Sequence, residues 1–85
     1  MSTVHLHYWA GARAAAGTAE ETVEASTLRA ALDRVGARSG HFSRVLSACT
    51  VLLDGLAVRE SDLDRPLRTE VRIEVLPPFA GGAGG

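Results

Sequence analysis

The chain has no lysine: all nine of its cationic side chains are arginine. No ε-amine is available to take an acyl group or to form a Schiff base. Cysteine is nearly as scarce. Cys49 stands alone among 85 residues, which excludes an intrachain disulfide and a cysteine-based metal cluster. Its apolar neighbours Val45, Leu46, Val51, Leu52 and Leu53 predict a buried, inert thiol. An excess of one charge is also missing. The net charge is −1 with no basic stripe, so nucleic acid finds no electrostatic footprint. Apolar runs are too short to span a bilayer. The start, Met1-Ser2-Thr3-Val4, has neither the basic nor the long apolar part of a secretory signal. These absences predict no membrane partner and a reducing, cytoplasmic location.

What is present suffices for one modest core. Hydrophobic residues make up 46% and charged residues 22%, too apolar a balance for disorder and enough for a single small domain. Val4 to Trp9 alternates with period two: Val4, Leu6 and Tyr8 on one face, His5, His7 and Trp9 on the other, as in a half-buried strand. Ala10 to Gly17 reads as a connection or short helical turn, and Glu21 to Ala25 as a strand returning antiparallel. Thr27 or Ser26 offers an N-cap. Leu28, Ala31, Leu32 and Val35 then form one helical stripe, with Gly36 placed to end it. Phe42 to Leu46 suits a short second helix. Ala48 to Leu53 is an apolar run that stops at Asp54-Gly55, a tight-turn signal, with a return strand from Ala57-Val58. Val71 to Leu76 alternates again, and Pro77-Pro78 ends its pairing.

This order predicts an α+β domain over residues 1–78, with a four- to five-stranded mixed sheet packed on one main helix. Its compact form is a β-grasp roll with the first and last strands parallel at the centre. A flexible glycine-rich tail is expected over 79–85: Phe79-Ala80-Gly81-Gly82-Ala83-Gly84-Gly85. An idle tail is one explanation of this composition. The functional one is more specific. Glycine lets the backbone thread a narrow channel, and a terminal glycine leaves the main-chain carboxylate unhindered. Seven extended residues reach roughly 20–25 Å. A carboxylate must be activated before sulfur or nitrogen attacks it. No phosphate-cradling loop is present to do so, which assigns activation to a separate protein.

Several motifs together carry a resemblance: Tyr8-Trp9-Ala10, Arg13-Ala14-Ala15-Ala16-Gly17, Thr27-Leu28, Val45-Leu46-Ser47-Ala48-Cys49, Leu53-Asp54-Gly55-Leu56-Ala57-Val58, and Val75-Leu76-Pro77-Pro78-Phe79-Ala80-Gly81-Gly82. Over nearly the whole length the chain resembles the MoaD/ThiS sulfur-carrier family, most closely the small subunit of molybdopterin synthase. The resemblance implies a ubiquitin-like β-grasp fold and a carrier without an active site of its own. An E1-like enzyme of the MoeB/ThiF type would use ATP to adenylate the terminal glycine, and a sulfur donor would convert it to a thiocarboxylate. The loaded tail would then enter a large subunit of the MoaE type and deliver sulfur to a pterin precursor. No cofactor is expected on the chain itself. Two departures stand out. The family usually stops at the first Gly-Gly, here Gly81-Gly82, whereas this sequence continues through Ala83-Gly84-Gly85. Either Gly85 is the acceptor as encoded, or trimming exposes Gly82. Thr69-Glu70 also replaces the family's usual Gly-Asp turn. Sulfur delivery to cysteine, thiamine or a specialised metabolite stays open, as does a ubiquitin-like modifier.

Trp9 and Leu76 lie on the otherwise polar faces of their strands. If those strands are neighbours, the two residues form an exposed apolar docking patch, bordered by Val58 or Ala57 and continued by Pro77 and Pro78. The alternatives are that Trp9 folds over the sheet edge or that the sheet has a second small core. His5 and His7 lack a third ligand, so no metal site is expected. Asp62 and Asp64 read as solvated loop carboxylates.

Overall fold

The computed structural model describes residues 1–77. Five strands form one mixed sheet in the order β2-β1-β5-β3-β4. They are β1 (Ser2–Tyr8), β2 (Glu20–Ala25), β3 (Thr50–Leu53), β4 (Leu56–Ala57) and β5 (Glu70–Leu76). The first and last strands run parallel at the centre, in register from Thr3 opposite Glu70 to Tyr8 opposite Val75. All other pairings are antiparallel. The period-two pattern decides which face is buried. Val4, Leu6 and Tyr8 of β1 and Val71, Ile73 and Val75 of β5 are each at most 3% exposed, while the residues between them face outward.

Helices cover one face only. Three short helices share this cover: α1 (Ala10–Ala16), where the sequence offered a connection or short helical turn, the predicted main helix α2 (Leu28–Gly36), and α3 (Gly40–Ala48), which is longer than the short second helix expected over Phe42 to Leu46. In α2 the Thr27 hydroxyl accepts from the Ala30 N–H at 3.1 Å, satisfying one of the orphan donors of the first turn. Ser39 caps α3 in the same way through the Phe42 N–H, at 3.0 Å. Leu28, Ala31 and Val35 of α2 and Phe42 of α3 seal the core. Tyr8 and Phe42 meet edge to face, with ring centroids 5.4 Å apart.

Gly36 does not stop α2. It is the last helical residue, and the next one, Ala37, is still right-handed with φ −65°. Gly36 is buried instead where α3 crosses: a Cβ there would lie 3.4 Å from Leu46 Cδ1 and 3.7 Å from Ser43 Cα. Its role is close helix approach rather than termination. The β3–β4 turn follows the sequence reading. Asp54 and Gly55 both have positive φ, 49° and 91°, which two-residue hairpins favour. The Asp54 carboxylate accepts from the Arg72 N–H at 2.9 Å and from Arg68 at 2.6 Å. These bonds, the backbone one first, hold its pKa below the ordinary value. Nothing lies within 4 Å of a Cβ on Gly55, so Gly55→Ala should cost backbone strain alone. The expected loss is about 1–2 kcal/mol, read from the shift in urea midpoint.

Behind the sheet, the Tyr8 hydroxyl donates to Glu21 at 2.5 Å, and Arg38 pairs with the same carboxylate. Burial, and then the Glu21 carboxylate, push the Tyr8 pKa upward. Arg38 also donates to the Ala16 carbonyl at 2.9 Å and lies 5.0 Å from the Phe42 ring centroid. One guanidinium thus ties together the end of α1, β2 and the α2–α3 junction. None of the described helices is long and apolar enough to cross a membrane.

Candidate functional site

The open face of the sheet divides into a polar half and an apolar end. On the polar half, His5 Nε2 meets Glu70 at 2.5 Å and its Nδ1 faces the Thr22 hydroxyl at 3.3 Å, while Thr3 donates to Glu24 at 2.9 Å. These are cross-strand pairs on one face, which is how such side chains stabilise a sheet. Among the described residues, no group of three or more His, Cys, Asp or Glu side chains is placed to hold a metal ion.

The apolar end lies where β5 leaves the sheet. Trp9 follows β1 in extended conformation, and its N–H donates to the Val75 carbonyl at 3.1 Å. The indole lies over the open face, stacked on His7 with centroids 4.4 Å apart and planes 3° from parallel. Its Nε1–H donates to Glu74 at 2.7 Å. These two contacts fix the ring while leaving Trp9 45% exposed. Leu76 takes the next open-face position on β5, half-buried and apart from the core.

Register adds two neighbours. Leu52 is opposite Glu74 on one side and Ala57 on the other, so both Leu52 and Ala57 face outward. Sequence alone does not single out Leu52, because it sits inside the run Val51-Leu52-Leu53, which has no polar residue to mark its alternation. Val58 must be corrected. Its N–H bonds the Val51 carbonyl at 2.9 Å, and its side chain packs against the helix-side core. It therefore does not border the open-face patch; Ala57 does. Pro77 is half-buried next to the start of α1, where a Cβ on Gly11 would lie 4.0 Å from its Cβ. Pro78, Phe79, Ala80, Gly81, Gly82, Ala83, Gly84 and Gly85 lie outside the described residues.

The remaining candidates have local duties. Arg29 grips Asp64 with two bonds, at 2.8 and 3.1 Å, and holds its pKa low. Asp62 accepts from the Arg59 N–H at 3.0 Å. Asp64 thus pins the loop before β5 onto α2, and Asp62 closes the short turn Glu60–Asp62 within that loop, which is more than solvation. Cys49 is half-buried, and its thiol bonds the Val45 carbonyl at 3.1 Å. Burial pushes its pKa up, away from the thiolate form that reacts.

A mixed five-stranded sheet with parallel central β1 and β5, helices on one face and the chain leaving from a central strand, defines a ubiquitin-like β-grasp domain. The chain belongs to the ThiS/MoaD family of sulfur carriers: the model of the ThiS family matches residues 6–82. No curated protein matches the chain in sequence. Solved structures share the fold. Small archaeal modifier protein 1 from Methanosarcina acetivorans superposes with TM-score 0.82 at 23% identity, covering 96% of this chain and 98% of that one. A putative molybdopterin converting factor subunit 1 from Pyrococcus furiosus gives 0.77 at 21% identity, covering 93% and 100%. A complex of subunits 1 and 2 of the molybdopterin-converting factor from Helicobacter pylori contains a chain matching at 0.70 and 20% identity, covering 94% and 99%.

Proposed function

We infer that the chain carries sulfur as a thiocarboxylate on its terminal glycine and delivers it, as the small subunit of molybdopterin synthase, to a pterin precursor. An oxygen of the Gly85 carboxylate attacks the α-phosphorus of ATP on an E1-like enzyme of the MoeB/ThiF type, and pyrophosphate leaves. A sulfide-level donor then attacks the carbonyl carbon, and AMP leaves. Inside a MoaE-type large subunit the sulfur passes to the pterin and water restores the carboxylate. The isolated chain performs none of these steps and supplies only the reactive end. The observation that carries this reading is the family match, which runs through Gly81-Gly82 just beyond central strand β5. Ala83-Gly84-Gly85 lie past the matched residues, so the acceptor is Gly85 as encoded or Gly82 after trimming. Incubation with the activating enzyme, ATP and a sulfur donor should replace one terminal oxygen by sulfur in the intact mass. No mass change with an enzyme that loads its own carrier would overturn the assignment.

Docking falls to the open-face patch of Trp9, Leu52, Ala57 and Leu76, continued by Pro77. In the Helicobacter pylori structure, subunit 1 is in complex with subunit 2, which supports a large-subunit partner here. A pre-oriented tryptophan is a common interface anchor. Trp9→Ala and Leu52→Ser should each weaken binding to the large subunit by about 30-fold, the cost of losing a 2 kcal/mol hot spot. Their melting temperatures should move little, since neither side chain belongs to the core. Calorimetric titration and a melt on the same sample check both parts.

A second reading, attachment to other proteins, draws on the structures named as modifiers in Methanosarcina acetivorans and Haloferax volcanii. It needs the same activated end but a lysine on a target. Isopeptide-linked conjugates in lysate that vanish when Gly85 is deleted would favour it over sulfur delivery to a small molecule.

A further inference from the structure

Charge on this domain is sorted by face. Most carboxylates meet an arginine or His5. Among the described residues Glu20, Glu24, Asp33 and Glu74 form no ion pair, and the three glutamates stand on the open face of the sheet. The helices carry the opposite balance. Arg13 of α1, Arg34 of α2 and Arg44 of α3 are exposed and form no ion pair among the described residues. Arg72 is the only arginine that the five strands contain.

Register places the glutamates against the apolar patch. Glu20 and Glu74 stand opposite His7, one on each side, and Leu52 and then Ala57 continue the same row. Two strand spacings put the Glu20 and Glu74 backbones about 10 Å apart, and the indole of Trp9 stacks on the imidazole between them. Glu24 lies further along β2. Its carboxylate accepts from the Thr3 hydroxyl, as that of Glu74 accepts from the Trp9 N–H. Both donors are neutral, so neither bond cancels a charge.

An open sheet face needs polar side chains for solvation alone, but solvation does not choose their sign. Glutamate is depleted in strands, and two carboxylates on either side of one imidazole repel each other. The sign does choose the occupant. Nucleic acid and anionic membranes are repelled. A second copy cannot lay the same face against this one without bringing the glutamates together. A cationic surface around an apolar recess matches both halves.

We propose that the open face selects a basic partner: a protein surface with a recess for Trp9, Leu52 and Leu76, flanked by lysine or arginine side chains that meet Glu20, Glu24 and Glu74. This rests on the docking role proposed for that patch. The glutamates govern encounter rate and partner choice, while the apolar residues hold the complex together.

Two measurements test it. The first needs no partner. Trp9 is the only tryptophan, so its fluorescence samples this face. Quenching by iodide, caesium and neutral acrylamide is compared with that of N-acetyl-tryptophanamide at constant ionic strength. Normalised to acrylamide, iodide should quench about twofold less and caesium more, as a local negative potential requires. Glu20→Gln with Glu24→Gln should shrink the contrast. The second measurement is the association rate with a MoaE-type large subunit by stopped flow. It should fall about tenfold between roughly 50 and 500 mM salt. The same double variant should associate about three- to tenfold more slowly at low salt, with its dissociation rate within about twofold of the parent. Both positions are exposed, and a melt on the same samples confirms that the fold is kept. Arg34→Gln with Arg44→Gln makes the whole chain more acidic from the helix side. It should leave the rate within about twofold, which separates the charge of the face from net charge. Equal quenching by anion and cation would overturn the proposal. So would association indifferent to salt and to Glu20 and Glu24. A large subunit that binds at no salt concentration, with the quenching contrast intact, would count against the small-subunit assignment, and the contrast would still support a cationic partner.

Discussion

Adding a phenylalanine after Gly85 is expected to lower sulfur loading by on the order of 100-fold or more. The added side chain displaces the acid by one residue and crowds the carboxylate that must be adenylated, and a displacement of even 1 Å in a reacting group costs about this much. The melting temperature should not change, because among the described residues the buried core extends along the chain to Val75. Loading measured by intact mass, alongside a thermal melt, separates the two effects. The same assay on chains ending at Gly82 and at Gly85 assigns the acceptor: equal loading of both would mean that the length beyond Gly82 is immaterial, and loading of the shorter chain alone would make trimming obligatory. Unimpaired loading of the phenylalanine-extended chain would remove the main-chain acid from the mechanism.

Phe42→Ala should be the most damaging substitution in the fold. Phe42 is 0% exposed, packs edge-on against Tyr8 and supports the Arg38 guanidinium. Truncating a buried phenylalanine removes its transfer free energy and leaves a cavity, together about 3–5 kcal/mol. A domain of this size has only about 5–15 kcal/mol in total. The melting temperature should therefore fall by on the order of 20 °C, with the Arg38–Glu21–Tyr8 cluster losing its packing support. A fall of only a few degrees would mean that α3 does not close the core.

The strands that alternate polar and apolar residues are legible at once. β1 and β5 show it most clearly, because a strand buried on one face writes that face into every second position. The Thr27 cap and the Asp54-Gly55 turn are equally plain, since each rests on local chemistry that few residues supply. Helix α1 is harder. Ala10–Ala16 is almost all small residues, which leaves no strong stripe, and it begins at Ala10 with φ 46°, which no sequence signal announces. Gly36 misleads because a glycine after an apolar stripe has the same appearance whether it ends a helix or admits a neighbour.

The open face shows the same boundary. Trp9 and Leu76 announce themselves as apolar residues in polar positions. Val58, Ala57 and Leu52 cannot be sorted from sequence, because a shift of one residue in strand register exchanges the two faces. The ties of Trp9 to Glu74, and of Tyr8 to Glu21 and Arg38, join residues far apart along the chain.

The sequence by itself determined the alternation of the central strands, the glycine ending, the family and the absence of lysine, because each is a property of residue type or local spacing. Tertiary structure alone decided which apolar residues share the open face, how Trp9 is held, and that Glu20 and Glu74 flank the imidazole beneath it. Those facts depend on register and helix packing, and both are set by many contacts between distant segments acting together.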